Sequence, residues 1–78
     1  MNEHALSRGT RDGSIRENVN RVLHESGYAP LRCIQCEVSN GVVELTGNVP
    51  SFYVKQLAQA VVLRLEQIRG VKNRLRVA

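Results

Sequence analysis

The chain has no tryptophan, one phenylalanine and two tyrosines among 78 residues. So sparse an aromatic set leaves little with which to build a stacking platform for nucleic-acid bases. Long hydrophobic runs are missing too, and no stretch approaches the roughly 18 apolar residues of a membrane span. Residues 1–13 hold no apolar segment of a signal peptide, so the sequence reads as cytoplasmic unless an export signal has been removed. Glycines are single and scattered, which excludes a phosphate-cradling loop. The length suffices for one domain, whose core must be thin because so small a fold hides only about 60% of its unfolded surface.

Acidic residues are scarce in the last third. From Lys55 to Ala78 the basic residues are Lys55, Arg64, Arg69, Lys72, Arg74 and Arg76, against Glu66 alone, while the whole chain carries a formal +4. Such polarity favours anionic partners without naming one, and it equally serves solubility.

Residues 1–13 have scattered charge and no periodicity and are expected to form a disordered tail, leaving 14–78 as a single domain. Ser14-Ile15-Arg16-Glu17 fits a capping box opening a helix. Ile15, Val19, Val22 and Leu23 then give one apolar stripe, and Gly27 is placed to stop the helix. Asn40-Gly41 between two β-rich runs signals a two-residue type I′ hairpin turn. That turn sets Val38 against Val43, Cys36 against Leu45, Glu37 against Glu44 and Gln35 against Thr46, so one register sorts apolar from polar on both strands. Pro50 ends the ladder and Ser51 caps a second helix, whose stripe is Val54, Leu57, Ala58, Val61, Leu65 and Ile68. A closing strand alternates Val71, Asn73, Leu75 and Val77 with Lys72, Arg74 and Arg76.

The expected fold is therefore α+β. It is a two-layer sandwich of order α-β-β-α-β, with two helices packed on one face of a three-stranded sheet. Cys33, Gln35, Glu37, Glu44, Thr46, Asn48, Lys72, Arg74 and Arg76 fall on the uncovered face.

Cys33-Ile34-Gln35-Cys36 is a CxxC, but a redox pair needs its first thiol at a helix N-terminus, where the dipole lowers its pKa. Here the pair falls in a predicted strand, where residues three apart point to opposite faces. Cys36 reads as a small core hydrophobe and Cys33 as a surface thiol. The same geometry argues against zinc, with His4 placed in the tail. The opposed pair Glu37 and Glu44 is the nearest approach to an acid–base set, and Arg74 or a neighbouring cation is expected to neutralise both. No catalytic residue, metal or cofactor is expected.

The element order and the residues at its joints resemble the BON domain of bacterial osmotically inducible and nodulation proteins. The resemblance rests on Ile34-x-Cys36-x-Val38, Asn40-Gly41, Val43-x-Leu45-x-Gly47 and Val49-Pro50-Ser51. Ile68, Val71, Asn73, Leu75 and Val77 complete it at the closing spacing. Cys36 stands where that family usually has Val or Ile, and Gln67 where it often has Gly. The resemblance implies a non-catalytic module of the bacterial envelope that binds anionic phospholipid surfaces or envelope proteins. The candidate binding residues are Arg69, Lys72, Arg74, Arg76 and Lys55. A protein-interaction role through the open sheet face or edge is the alternative, and a nucleic-acid role, resting on charge alone, ranks below it.

Overall fold

A computed structural model describes the backbone of residues 3–78 and the side chains of residues 11–78. Helix α1 spans Glu3–Glu25, a 3-10 turn spans Ala29–Cys33, and strands β1 (Gln35–Ser39) and β2 (Val42–Thr46) form the hairpin. Strand β3 (Asn48–Val49), helix α2 (Phe52–Leu63), β4 (Gly70–Asn73) and β5 (Arg76–Val77) follow. The main sheet has the order β1-β2-β4, with β1 antiparallel and β4 parallel to the central β2. The α+β architecture is as expected, with order α-β-β-α-β once the two short strands are counted as continuations.

The hairpin follows its turn chemistry. Asn40 and Gly41 both take positive φ, 51° and 81°, as a type I′ turn demands. The register pairs Gln35 with Thr46, Cys36 with Leu45, Glu37 with Glu44 and Val38 with Val43. Cys36, Val43 and Leu45 are consequently buried, packed with Ile15, Val19 and Leu23 of α1 and with Val54, Ala58 and Val62 of α2. Ser51 caps α2 as anticipated, its Oγ accepting from the Val54 amide at 3.2 Å.

Several details differ from the sequence reading. The first helix begins at Glu3, so Ser14 and Glu17 lie inside it and form no capping box. No proline interrupts residues 3–13, and an interior glycine costs only about 1 kcal/mol relative to alanine. The helix therefore continues through the stretch expected as a tail. Helix α2 stops at Leu63, so Leu65 and Ile68 pack half-buried from irregular chain beyond it. Val62 is fully buried, whereas Val61 is only half-buried. Leu31, absent from every periodic pattern, is also fully buried, because the 3-10 turn around Pro30 drops it into the core.

The closing strand is not continuous. β4 pairs with β2 and β5 pairs with β3, yet the register is unchanged across the break. The ladder continues from Arg74 N–H to the Leu45 carbonyl at 2.9 Å and from Arg76 N–H to the Gly47 carbonyl at 2.8 Å. Two residues make this bend. Gly47 sits at φ 132°, and a Cβ there would stand 3.4 Å from the Cys33 carbonyl and 3.7 Å from the Ile34 Cα. Asn73, at an otherwise apolar position, donates from Nδ2 to the Lys55 carbonyl at 2.9 Å and to Gln59 Oε1 at 3.1 Å. Its Oδ1 accepts from the Leu75 amide at 3.2 Å. That side chain ties α2 to the sheet and satisfies the amide of Leu75, whose side chain is buried.

Cys33 ends the 3-10 turn instead of lying in a strand; it is exposed, while Cys36 is buried, and both thiols are free. The Cys36 thiol donates to Asn20 Oδ1 at 3.5 Å. Burial pushes its pKa up, partly offset by the Arg16 guanidinium and reinforced by Glu37.

Three outcomes are expected. Gly47→Ala should destabilise by about 1–3 kcal/mol, read as a lowered thermal midpoint, because a non-glycine residue is strained at this φ. Asn73→Asp keeps the acceptor for Leu75 but sets a carboxylate against two oxygen acceptors; a loss of about 1–3 kcal/mol is expected in urea unfolding. The raised Cys36 pKa means the folded state holds the neutral thiol longer than the unfolded state does. Its stabilising effect is therefore intact at neutral pH and lost as pH rises above the unfolded thiol value of about 8.5. A Cys36→Val variant should lose less stability than the parent over that alkaline range.

Candidate functional site

Asn73 reaches α2, so its strand neighbours Lys72 and Arg74 project from the opposite, open face of the sheet. The open-face charges are not all free. Arg74 Nε lies 2.7 Å from Glu44 Oε2, in a pair whose side chains are 64% and 38% exposed. At that exposure the pair contributes at most about 1 kcal/mol, but it removes one cation from any anion-binding role. The sequence leads one to expect Arg74 or a neighbouring cation to neutralise both hairpin glutamates. Among the described residues it pairs with Glu44 alone, and Glu37 stays exposed beside it.

The five candidate cations thus fall into separate places. Lys72, Arg74 and Arg76 lie along the edge formed by β4 and β5. Arg69 sits at the hairpin-turn end of that edge, where its amide donates to the Gly41 carbonyl at 2.7 Å and its side-chain stem covers Gly41. Lys55 belongs to the helical layer. Its ammonium lies 5.6 Å from the centroid of the Phe52 ring, within the range of a cation–π contact.

A second feature gathers where α2 begins. Phe52 and Tyr53 are 65% and 62% exposed, and Tyr28 is 45% exposed. Residues this large are seldom left so open without a use when they lie together. The Tyr28 phenol beside Tyr53 raises the Tyr53 pKa. The chain enters α2 directly from β3, which pairs with β5, so Arg76 and the exposed Val77 lie at this same end of the fold. The aromatic residues Tyr28, Phe52 and Tyr53 and the cations Lys55 and Arg76 therefore share one end. From Tyr28 an open groove of about 360 Å³ runs between the helices, lined by Val22, Leu57 and Val61, with Glu25 and Arg64 at its rim.

Tyr28 joins Phe52 and Tyr53 only through the fold. The one signal available was its place just after the helix-stopping Gly27, whose φ is 86°.

Among the described residues, no group of three His, Cys, Asp or Glu side chains could hold a metal ion. Nor does any described helix have the length and apolarity to cross a membrane. The site offers apolar rings beside cations.

No curated protein matches the chain. The family model of the BON domain matches residues 11–78, which takes in α1 from Arg11, the hairpin, α2 and the closing strands. BON domains are small binding-type modules. With the match spanning most of its length and the hairpin, Gly47 and Asn73 in their structural roles, the chain belongs to the BON domain family.

Proposed function

We propose that this domain is a non-catalytic module that associates with anionic phospholipid surfaces, docking through the end where α2 begins. The observation that carries this reading is the joint exposure of Phe52, Tyr53 and Tyr28 beside Lys55 and Arg76. Aromatic rings with a polar edge suit the boundary between headgroup and acyl chain, and basic residues there meet the anionic headgroups.

Magnitudes decide which part matters more. A basic residue at an anionic membrane contributes about 1 kcal/mol. Lys55 and Arg76 together would then give an affinity of only tens of millimolar or so. Burying one large apolar side chain adds about 1.5–3 kcal/mol. Charge therefore orients the domain and the rings retain it. Arg69 and Lys72, further along the edge, add steering within roughly one screening length of about 8 Å. The ion-paired Arg74 contributes least.

The test is co-sedimentation of the full chain with vesicles of phosphatidylcholine, with and without admixed phosphatidylglycerol. Binding is expected only with the anionic lipid. Phe52→Ser and Tyr53→Ser should each lower partitioning by about tenfold, and Arg76→Glu should do so by a similar factor. Equal binding to neutral vesicles, or a double aromatic variant that binds like the parent, would contradict this reading. The open face or edge strand, as a protein-recruiting surface, would then take precedence.

A further inference from the structure

At the far end of the strand pair from those rings, α1 approaches the hairpin turn and leaves a cleft of about 380 Å³. It is lined by Arg11, Asp12, Ile15, Asn40, Gly41, Gln67 and Arg69. We infer that this cleft is a phosphate-binding site in which the Arg11 and Arg69 guanidinium groups hold the anion from two sides. The cleft is of the size that takes a small ligand or a headgroup. The inference stands apart from the membrane reading, which docks through the opposite end of the molecule and draws on Arg69 only for steering.

Three features prepare the cleft. Arg69 is anchored: its amide is bonded to the Gly41 carbonyl at 2.7 Å, and its stem lies against Gly41, about 3.0 Å from where a Cβ would be. Its guanidinium is thereby offered with part of its rotamer entropy already lost, and the planar fork suits phosphate oxygens. Gln67 is oriented, because its Oε1 accepts from Asn18 Nδ2 at 3.1 Å, and Asn18 Oδ1 in turn accepts from Arg21. That arrangement leaves the Gln67 amide NH2 as its remaining donor. Asp12 is occupied as a clamp, its Oδ2 accepting from the Asn40 amide at 3.3 Å and so fixing the turn against α1. Among the described residues neither Arg11 nor Arg69 has a carboxylate within 4 Å. Two cations against one carboxylate leave the cleft with net positive charge.

Asp12 makes the proposal discriminating. Its charge opposes an anion, but its structural task needs only an oxygen acceptor. Asp12→Asn therefore keeps the clamp and should tighten phosphate binding several-fold, whereas a merely structural role would gain nothing from the change. Arg11→Ala, at an exposed helical position that alanine suits, should weaken binding by about tenfold. Arg69→Lys keeps charge and stem but loses the fork, and should weaken it by a smaller factor.

The experiment is an amide chemical-shift titration of the full chain with inorganic phosphate, against sodium chloride of matched ionic strength. Saturable shifts confined to residues near 11–12, 40–41 and 67–69, altered by the variants in those directions, are expected. Shifts that chloride reproduces, or an affinity that neither Arg11→Ala nor Asp12→Asn changes, would overturn the proposal. A second arm uses nanodiscs of phosphatidylcholine with and without phosphatidic acid. The same cleft shifts with phosphatidic acid would identify a lipid phosphate as an occupant; cleft shifts with free phosphate alone would identify a small soluble one. Shifts at the aromatic end only, with no response to free phosphate, would overturn the cleft and leave the membrane reading standing.

Discussion

The bend at Gly47 and Asn73 holds the two ends of this molecule in their relation to one another. Here the central strand pair breaks without losing register, and the chain after the break packs Val49 and Leu75 into the core. Gly47 permits the bend because its φ of 132° is one that residues with a side chain rarely adopt. Asn73 fixes it, since one amide group bonds both the first turns of α2 and the strand beyond. The same bonds set the beginning of α2 beside β5. Phe52, Tyr53 and Lys55 thereby come to share an end with Arg76 and Val77. A fold constraint and a candidate docking surface thus rest on one side chain.

The charge on this domain is less concentrated than its composition suggests. The basic residues of the last third run along one edge and into the helical layer, and one of them is engaged by Glu44. Among the described residues, Arg74 alone of the edge cations is ion-paired. What distinguishes the two ends is the chemistry beside the cations: apolar rings where α2 begins, and oriented amides and a clamped turn where α1 meets the hairpin. The first suits an extended interface and the second a discrete anion. Because the ends are separated by the length of the strand pair, they can be altered independently.

Much of the fold was legible because its strongest signal was local. Asn40-Gly41 specifies a turn, the turn specifies a register, and the register decides which of Cys36, Val43 and Leu45 enter the core. The cap at Ser51 was legible for the same reason. The start of α1 was not, since a serine followed three residues later by a glutamate is also compatible with a helix interior when nothing upstream breaks the helix. Leu31 carried no periodicity because a 3-10 turn has none to offer over so few residues. Asn73 looked like an irregularity in an apolar alternation, and its meaning depends on partners at positions 55 and 59. The candidate site was legible as a set of charges but not as a place. Tyr28 joins Tyr53, Lys55 leaves the strand cations, and Arg69 joins Arg11 only through contacts between elements distant in sequence.

The most direct measurement of the central claim is an amide chemical-shift titration with nanodiscs, neutral against anionic, at about 150 mM salt, where long-range charge effects are screened. The account predicts shifts or broadening with anionic lipid alone, centred on residues 52–55, 28 and 76–77. Perturbation spread evenly along the basic edge, or unchanged spectra with both lipids, would contradict it.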